Sequence, residues 1–130
     1  MSSKGRLELL ASAARTATPT IPNSAAIGEF AKVMTDLQII VDVTLDPSTA
    51  SLQPALQGFD TTSGKWYDLV DSITAIAATG ISVISFGQHA PVVANGSNQG
   101  FVPDIWRFTM THADAASITY SVGMNYFIEG

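Results

Sequence analysis

Hydrophobic and polar residues alternate along much of this chain, most clearly in its last third. Trp106, Phe108 and Met110 alternate with Arg107, Thr109 and Thr111. After the polar break His112-Ala113-Asp114-Ala115-Ala116-Ser117, Ile118, Tyr120, Val122, Met124, Tyr126 and Ile128 alternate with Thr119, Ser121, Gly123, Asn125 and Phe127. Successive side chains of a strand point to opposite faces, so a period of two predicts strands with one buried face. The short break predicts that these two strands form a β-hairpin, with Trp106, Tyr120, Val122 and Tyr126 in the core.

The same reading extends upstream. Leu37, Ile39, Val41, Val43 and Leu45 alternate with Gln38, Ile40, Asp42 and Thr44, which predicts a strand over 36–46, ended by Asp46-Pro47-Ser48. In the next strand Leu52, Leu56 and Gly58 share a face, and Pro54, lacking a backbone donor, predicts an edge or a bulge. Asp60-Thr61-Thr62-Ser63-Gly64-Lys65 reads as a hairpin loop with Gly64 at positive φ, and 66–70 as the returning strand. Residues 72–78 fit either a continued strand or a turn of helix, and Gly80 introduces a strand over 81–86. Residues 6–18 read as a strand with Leu7, Leu9, Ala11 and Ala13 on one face and Leu10 out of pattern, with helix as the alternative because Ala and Leu also favour it. Residues 16–30 and 87–104 lack a period and hold Pro19, Pro22, Gly28, Pro91, Gly96, Gly100 and Pro103. The second is the longest loop and therefore a place to look for binding. Several short strands with no convincing helix and no internal repeat predict one all-β domain over 1–130. Its expected form is a β-sandwich, jelly-roll or immunoglobulin-like, of about seven to eight antiparallel strands, with an arm over 1–30 that can extend onto neighbours.

Composition narrows the function. Charged residues are only 13% of the 130, and the net charge is −5 with six Lys and Arg. Six scattered cations cannot track a phosphate backbone or hold an anionic membrane surface, so neither nucleic acid nor membrane is an expected partner. The chain has no cysteine, which excludes a disulfide framework, a thiolate nucleophile and a Cys-type zinc site. Met1 to Ala14, with Lys4 and Arg6 ahead of the run from Leu7 to Ala14, has the look of a leader ending in Ala-Ser-Ala, but the apolar run is short and contains Glu8, so it is read as part of the folded protein. No run reaches the ~20 apolar residues of a membrane span.

Candidate chemistry is sparse. His89 and His112, the only histidines, fall in a loop and a turn and read as solvent-facing, with His112 beside Asp114 in turn hydrogen bonds. Asp42 with Asp46, and Asp68 with Asp71, are the carboxylate pairs to consider for glycoside hydrolysis, but they read as solvated surface. Ser82, Ser85 and Ser121 lack a nucleophile-elbow turn, and Gly58, Gly64 and Gly80 make no phosphate-binding loop. Trp66, Tyr67 and Phe59 are candidates for an aromatic sugar platform. Because adjacent strand residues face opposite ways, one of Trp66 and Tyr67 is expected to enter the core. No catalytic, cofactor or metal site is expected, and no enzyme activity.

Three segments carry a family resemblance: Leu9-Leu10-Ala11-Ser12-Ala13-Ala14-Arg15-Thr16-Ala17-Thr18; Gln57-Gly58-Phe59-Asp60-Thr61-Thr62-Ser63-Gly64-Lys65-Trp66-Tyr67; and Trp106-Arg107 with Thr111-His112-Ala113-Asp114 before Ser117-Ile118-Thr119-Tyr120-Ser121-Val122-Gly123. Together they resemble small virion proteins of tailed bacteriophages. The resemblance implies a head decoration or cement protein made in the host cytoplasm and carried on the capsid surface. Its expected partners are the major capsid protein and copies of itself, as a dimer or trimer. The contact segments expected are 2–20, 20–30 and 87–103, each low in charge and rich in Pro, Ser, Asn or Ala. The alternative is a glycan- or receptor-binding β-sandwich of a tail or head fibre.

Overall fold

The computed structural model describes residues 2–22, 34–46 and 51–129. Its strands are β1 (Ser2–Arg15), β2 (Thr20–Pro22), β3 (Met34–Leu45), β4 (Leu52–Asp60), β5 (Lys65–Asp68), β6 (Gly80–Gly87), β7 (Ser97–Gln99), β8 (Trp106–His112) and β9 (Ile118–Glu129). One sheet has the order β1-β9-β3-β6-β7 and the other β2-β8-β4-β5. The antiparallel pairs β1–β9, β2–β8, β3–β6 and β4–β5 nest inside one another in sequence. The chain is therefore one long ribbon, folded back at the turn between Asp60 and Lys65 and rolled so that its pairs fall alternately into two sheets. This is the jelly-roll arrangement of a β-sandwich, and it excludes the immunoglobulin-like one. Gly64 takes φ 72°, with its N–H bonded to the Asp60 carbonyl at 2.8 Å, as the turn sequence predicts.

The alternation read in the sequence fills the space between the sheets. Leu37, Ile39, Val41 and Val43 of β3 and Ile118, Tyr120, Val122 and Met124 of β9 face Leu52 and Leu56 of β4 and Trp106, Phe108 and Met110 of β8. All are buried, and Trp106, Phe108 and Tyr120 are the largest side chains fully removed from solvent. Leu45 leaves this row and is exposed, because the β3–β9 register shifts after Val43. Tyr126, expected in the core, is half-buried over Gly5 at the rim of the sandwich.

The last third is not a hairpin. β8 pairs with β2 and β4, and β9 pairs with β1 and β3, so the two strands lie in opposite sheets. The polar break is an arch across the end of the sandwich, held by Ala113 N–H on the Ser51 carbonyl and Ala116 N–H on Asp114 Oδ1. Arching turns the two apolar faces toward each other, where a hairpin would leave them side by side on one sheet needing a second layer.

The expected arm is also a strand. Over Ser2–Arg15 it forms the outermost member of the five-stranded sheet, with Leu7 and Leu9 packed against the core. Residues 23–30 of that arm lie outside the described residues. Register shifts between Glu8 and Leu10 and between Leu10 and Ala13 account for Leu10 breaking the pattern: β1 is bulged there. Pro54 needs neither a strand edge along β8 nor a bulge. Leu52 and Leu56 direct their backbone groups away from β8, to Ile76 and Leu69, and Pro54 between them shares that side, so its missing N–H removes no β4–β8 bond. Residues 72–78 form neither a helix nor a strand, apart from an isolated bridge between Ile76 and Leu52. The long loop after β6 holds β7, which runs parallel to β6 and makes the sheet mixed.

Candidate functional site

The outer face of the five-stranded sheet carries a cleft of about 870 Å³. Opposite residues in paired strands share a face, so the registers Lys4↔Phe127, Arg6↔Asn125, Asp36↔Phe127 and Gln38↔Asn125 set these side chains side by side on its floor and one wall. Asn125 Nδ2 donates to Gln38 Oε1 at 3.2 Å. The opposite wall is His89-Ala90-Pro91 from the loop after β6. A second cleft, about 370 Å³, shares Arg6 and Asn125 and runs on past Ile40, Asp42 and Ser121.

Asp36 anchors the His89 wall. Its Oδ1 accepts the His89 N–H at 2.7 Å, its Oδ2 accepts Thr35 Oγ1–H at 2.9 Å, and His89 Nδ1 lies 3.3 Å from Oδ2. Burial works to raise the Asp36 pKa, but these hydrogen bonds and the His89 charge together outweigh it and hold the carboxyl below 3.8. Gln88 N–H adds a bond to the Thr35 carbonyl at 3.0 Å. Ser85 also lines the cleft, with its Oγ buried and without a hydrogen-bond partner among the described residues. His89 is exposed, as its loop position suggests, but its partner lies 53 residues away and has no local sequence signal.

The outer face of the four-stranded sheet holds the aromatic group. Phe59 and Trp66 are opposite each other in the β4–β5 ladder, with ring centroids 4.9 Å apart and planes at 51°. The Arg107 guanidinium carbon sits 4.2 Å from the Trp66 ring centroid. Arg107 Nε–H donates to Gln57 Oε1 at 2.9 Å, and Gln57 Nε2 donates to Asp68 Oδ1 at 3.1 Å. The expectation that Trp66 or Tyr67 enters the core is wrong for both. β5 is a short edge strand; Trp66 lies outward, half-buried, and Tyr67 lies over Gly58, largely exposed. With Arg107 on its ring, Trp66 offers a sugar only its remaining surface.

At the arch, His112 Nε2 is 2.9 Å from Tyr120 Oη, so this histidine bonds across to β9 while Asp114 caps the turn. Burial, then the Arg15 charge, lowers the His112 pKa from 6.5, against a smaller upward pull from Asp114. The protonated ring would carry an N–H on both nitrogens, and Nδ1 is buried with no hydrogen-bond partner among the described residues. Burial pushes Tyr120 up to about 12 against the opposing Arg15 charge. Arg15 lies 4.9 Å from the Tyr120 ring centroid and donates to the carbonyls of Ala11, Ala13 and Tyr120.

The remaining candidates are not brought together. Asp42 lines the second cleft without Asp46, Asp68 is bonded to Gln57, and Asp71 is exposed. Ser82 and Ser85 are buried in β6, away from Ser121 in β9. No group of three or more His, Cys, Asp or Glu is placed to hold a metal among the described residues.

No protein-family model matches the sequence, and no curated protein does. Among solved structures the chain is similar to the Yersinia pseudotuberculosis-derived mitogen, at 8% identity over 99% of this chain and 88% of that one, with a TM-score of 0.45. It is similar to a chain of the cowpea mosaic virus top component, a naturally occurring empty particle, at 11% identity over 99% and 88%, with a TM-score of 0.49. A chain of Desmodium yellow mottle tymovirus is similar at 10% identity over 98% and 85%, with a TM-score of 0.48. The β-sandwich assignment rests on the strand order itself.

Proposed function

We propose that this chain is a structural subunit of a virus particle, and more finely a decoration or cement protein on the head of a tailed bacteriophage. The observation that supports it most is the strand order. A complete two-sheet jelly roll recurs in capsid and lectin domains, and the resemblance to small tailed-phage virion proteins favours the first. Fold alone hosts many functions, so the reading needs both. The mechanism is association. Sparsely charged faces are easily desolvated against the major capsid protein, and binding the assembled shell but not free subunits stabilises the shell by mass action. Repetition over a symmetric lattice multiplies a modest free energy per copy.

Adding the purified chain to shells that lack it tests this. Occupied shells should retain their contents to higher temperature and through stronger osmotic shock, with labelled protein distributed over the head. Label confined to the tail tip, or binding to host cells competed by surface polysaccharide, would replace this reading with receptor or glycan binding. One observation favours that second reading: Phe127 lies beside the Asn125–Gln38 amide pair and the cations Lys4 and Arg6, a ring face with hydroxyl-bonding groups around it. In that case Phe127→Ala should abolish polysaccharide binding and leave the fold intact.

A further inference from the structure

One row of polar side chains crosses four strands on the outer face of the five-stranded sheet and underlies the larger cleft. The registers set Arg6 opposite Asn125, Asn125 opposite Gln38, and Gln38 opposite Ser85. Several of these groups are unused. Arg6, like Lys4 two residues before it, is exposed and has no ion-pair or hydrogen-bond partner among the described residues. Asn125 and Gln38 share one hydrogen bond, which leaves Asn125 Oδ1 and Gln38 Nε2 without a partner among the same residues. Ser85 is the sharpest case. Ile84 and Phe86 on either side of it point into the core, so its hydroxyl points to the cleft side of the sheet. The residue is 1% exposed, and its Oγ is buried without a hydrogen-bond partner among the described residues. A buried hydroxyl left unpaired costs stability, and a polar group of a ligand would satisfy it.

The two ends of the cleft differ. Lys4 and Arg6 bring two positive charges to the β1 end, in a chain whose net charge is −5. At the β6 end Asp36 is a carboxylate already engaged by Thr35 and His89, and Ala90 and Pro91 form an apolar wall. Phe127 lies between, in the row of Lys4 and Asp36. Three strand-to-strand steps separate Arg6 from Ser85, roughly 14 Å, the reach of about four residues of extended peptide.

We propose that this cleft binds a short extended segment of a partner protein, laid across the strands with an acidic side chain at Lys4 and Arg6 and an apolar one against Phe127, Ala90 and Pro91. A carboxylate between an arginine and a lysine gains charge-assisted hydrogen bonds that a neutral side chain does not. The carboxamides of Gln38 and Asn125 carry the donor and acceptor of a peptide group and pair with the main chain passing over them. Ser85 takes one further polar group of the segment. Asp36 repels a second carboxylate at the β6 end, which fixes the direction in which the segment lies. A saccharide would set hydroxyls against the Ala90–Pro91 wall, whereas a peptide offers that wall an apolar side chain. The identity of the partner, an acidic segment of the major capsid protein, rests on the particle reading. The cleft itself is also measured on the free chain, so the two fail separately.

On the purified chain, fluorescence anisotropy follows a labelled Glu-Ala-Glu-Ala-Leu-Ala peptide. It should bind, and should weaken about tenfold or more in Lys4→Glu, in Arg6→Glu, and when Gln replaces Glu in the peptide. Raising salt from about 0.05 M to about 0.5 M should also weaken it. Lys4 and Arg6 are exposed, so these variants keep the fold. Ser85→Ala should weaken binding about threefold without lowering the melting temperature, because the hydroxyl it removes is unpaired in the free protein. On occupied shells, a benzophenone amino acid in place of Pro91 should cross-link on irradiation to an acidic segment of the major capsid protein, identified by mass spectrometry. Shells that hold the chain but cross-link elsewhere or not at all overturn the proposal and leave the particle reading standing. So does a parent that binds the Glu peptide no better than the Gln one, or that binds oligogalacturonate in its place. Peptide binding with these charge and Ser85 effects, but no binding to shells, upholds the cleft and overturns the particle reading.

Discussion

Trp106 and His112 stand at the two ends of one seven-residue strand and limit stability in different ways. Trp106 is wholly buried between the sheets, so Trp106→Ala leaves a large void and should cost ~3–5 kcal/mol in chemical denaturation, a large share of an ordinary domain's stability. A variant melting within a few degrees of the parent would mean that the inward face of β8 is misassigned. His112 sets a pH limit. Its folded pKa lies below 6.5, chiefly through burial and then through Arg15, so the unfolded chain takes up this proton first. Its contribution is therefore complete above about pH 6.5, is lost as pH falls below that, and levels off once the folded ring also protonates. Thermal melts of the parent between pH 8 and 5.5 should show this loss, and His112→Gln, which does not titrate, should flatten it. Nothing in the turn sequence advertises the Tyr120 bond, because Asp114 is the nearer partner along the chain, yet its carboxylate takes the Ala116 N–H instead.

The strands were largely legible; of their pairing, only the local β4–β5 hairpin was. Alternation in β3, β4, β8 and β9 identifies which residues are buried, because burial on one face is a property of each strand alone. Partner choice depends on what the rest of the chain offers. β9 has two long neighbours in β1 and β3, which removes it from β8 and converts a plausible hairpin into an arch. The clefts were illegible for the same reason: Lys4, Gln38 and Asn125 meet only once three distant strands are in register. The one legible piece of that surface was the loop after β6, from its prolines and glycines. Gly87, where that loop leaves β6, gives an element-scale prediction. It sits at φ 149°, and a Cβ there would fall on the Thr35 carbonyl and the Asp36 side chain. Gly87→Ala should destabilise by ~1–3 kcal/mol and loosen the His89 wall, seen as faster amide exchange at Gln88 and His89.

For the whole molecule, the nested ribbon implies slow assembly. Three of its four pairs join residues far apart in sequence, and only β4–β5 is local, so loop-closure entropy must be met before most contacts form. Refolding should fall in the millisecond-to-second range of β-sandwich topologies. Mutations at the 60–65 turn should slow folding more than those in β1, as stopped-flow fluorescence of Trp66 and Trp106 can measure.

The ribbon has one more consequence. Ser2 lies opposite Glu129 in the β1–β9 ladder, so the first and last strands leave the same corner of the sandwich. A few linking residues would close the backbone into a ring, and new ends opened within Thr61-Thr62-Ser63, an exposed turn, would leave every ladder intact. Such a circular permutant should fold and melt near the parent, while passengers fused beyond Ser2 and beyond Glu129 would emerge side by side at the β1–β9 corner.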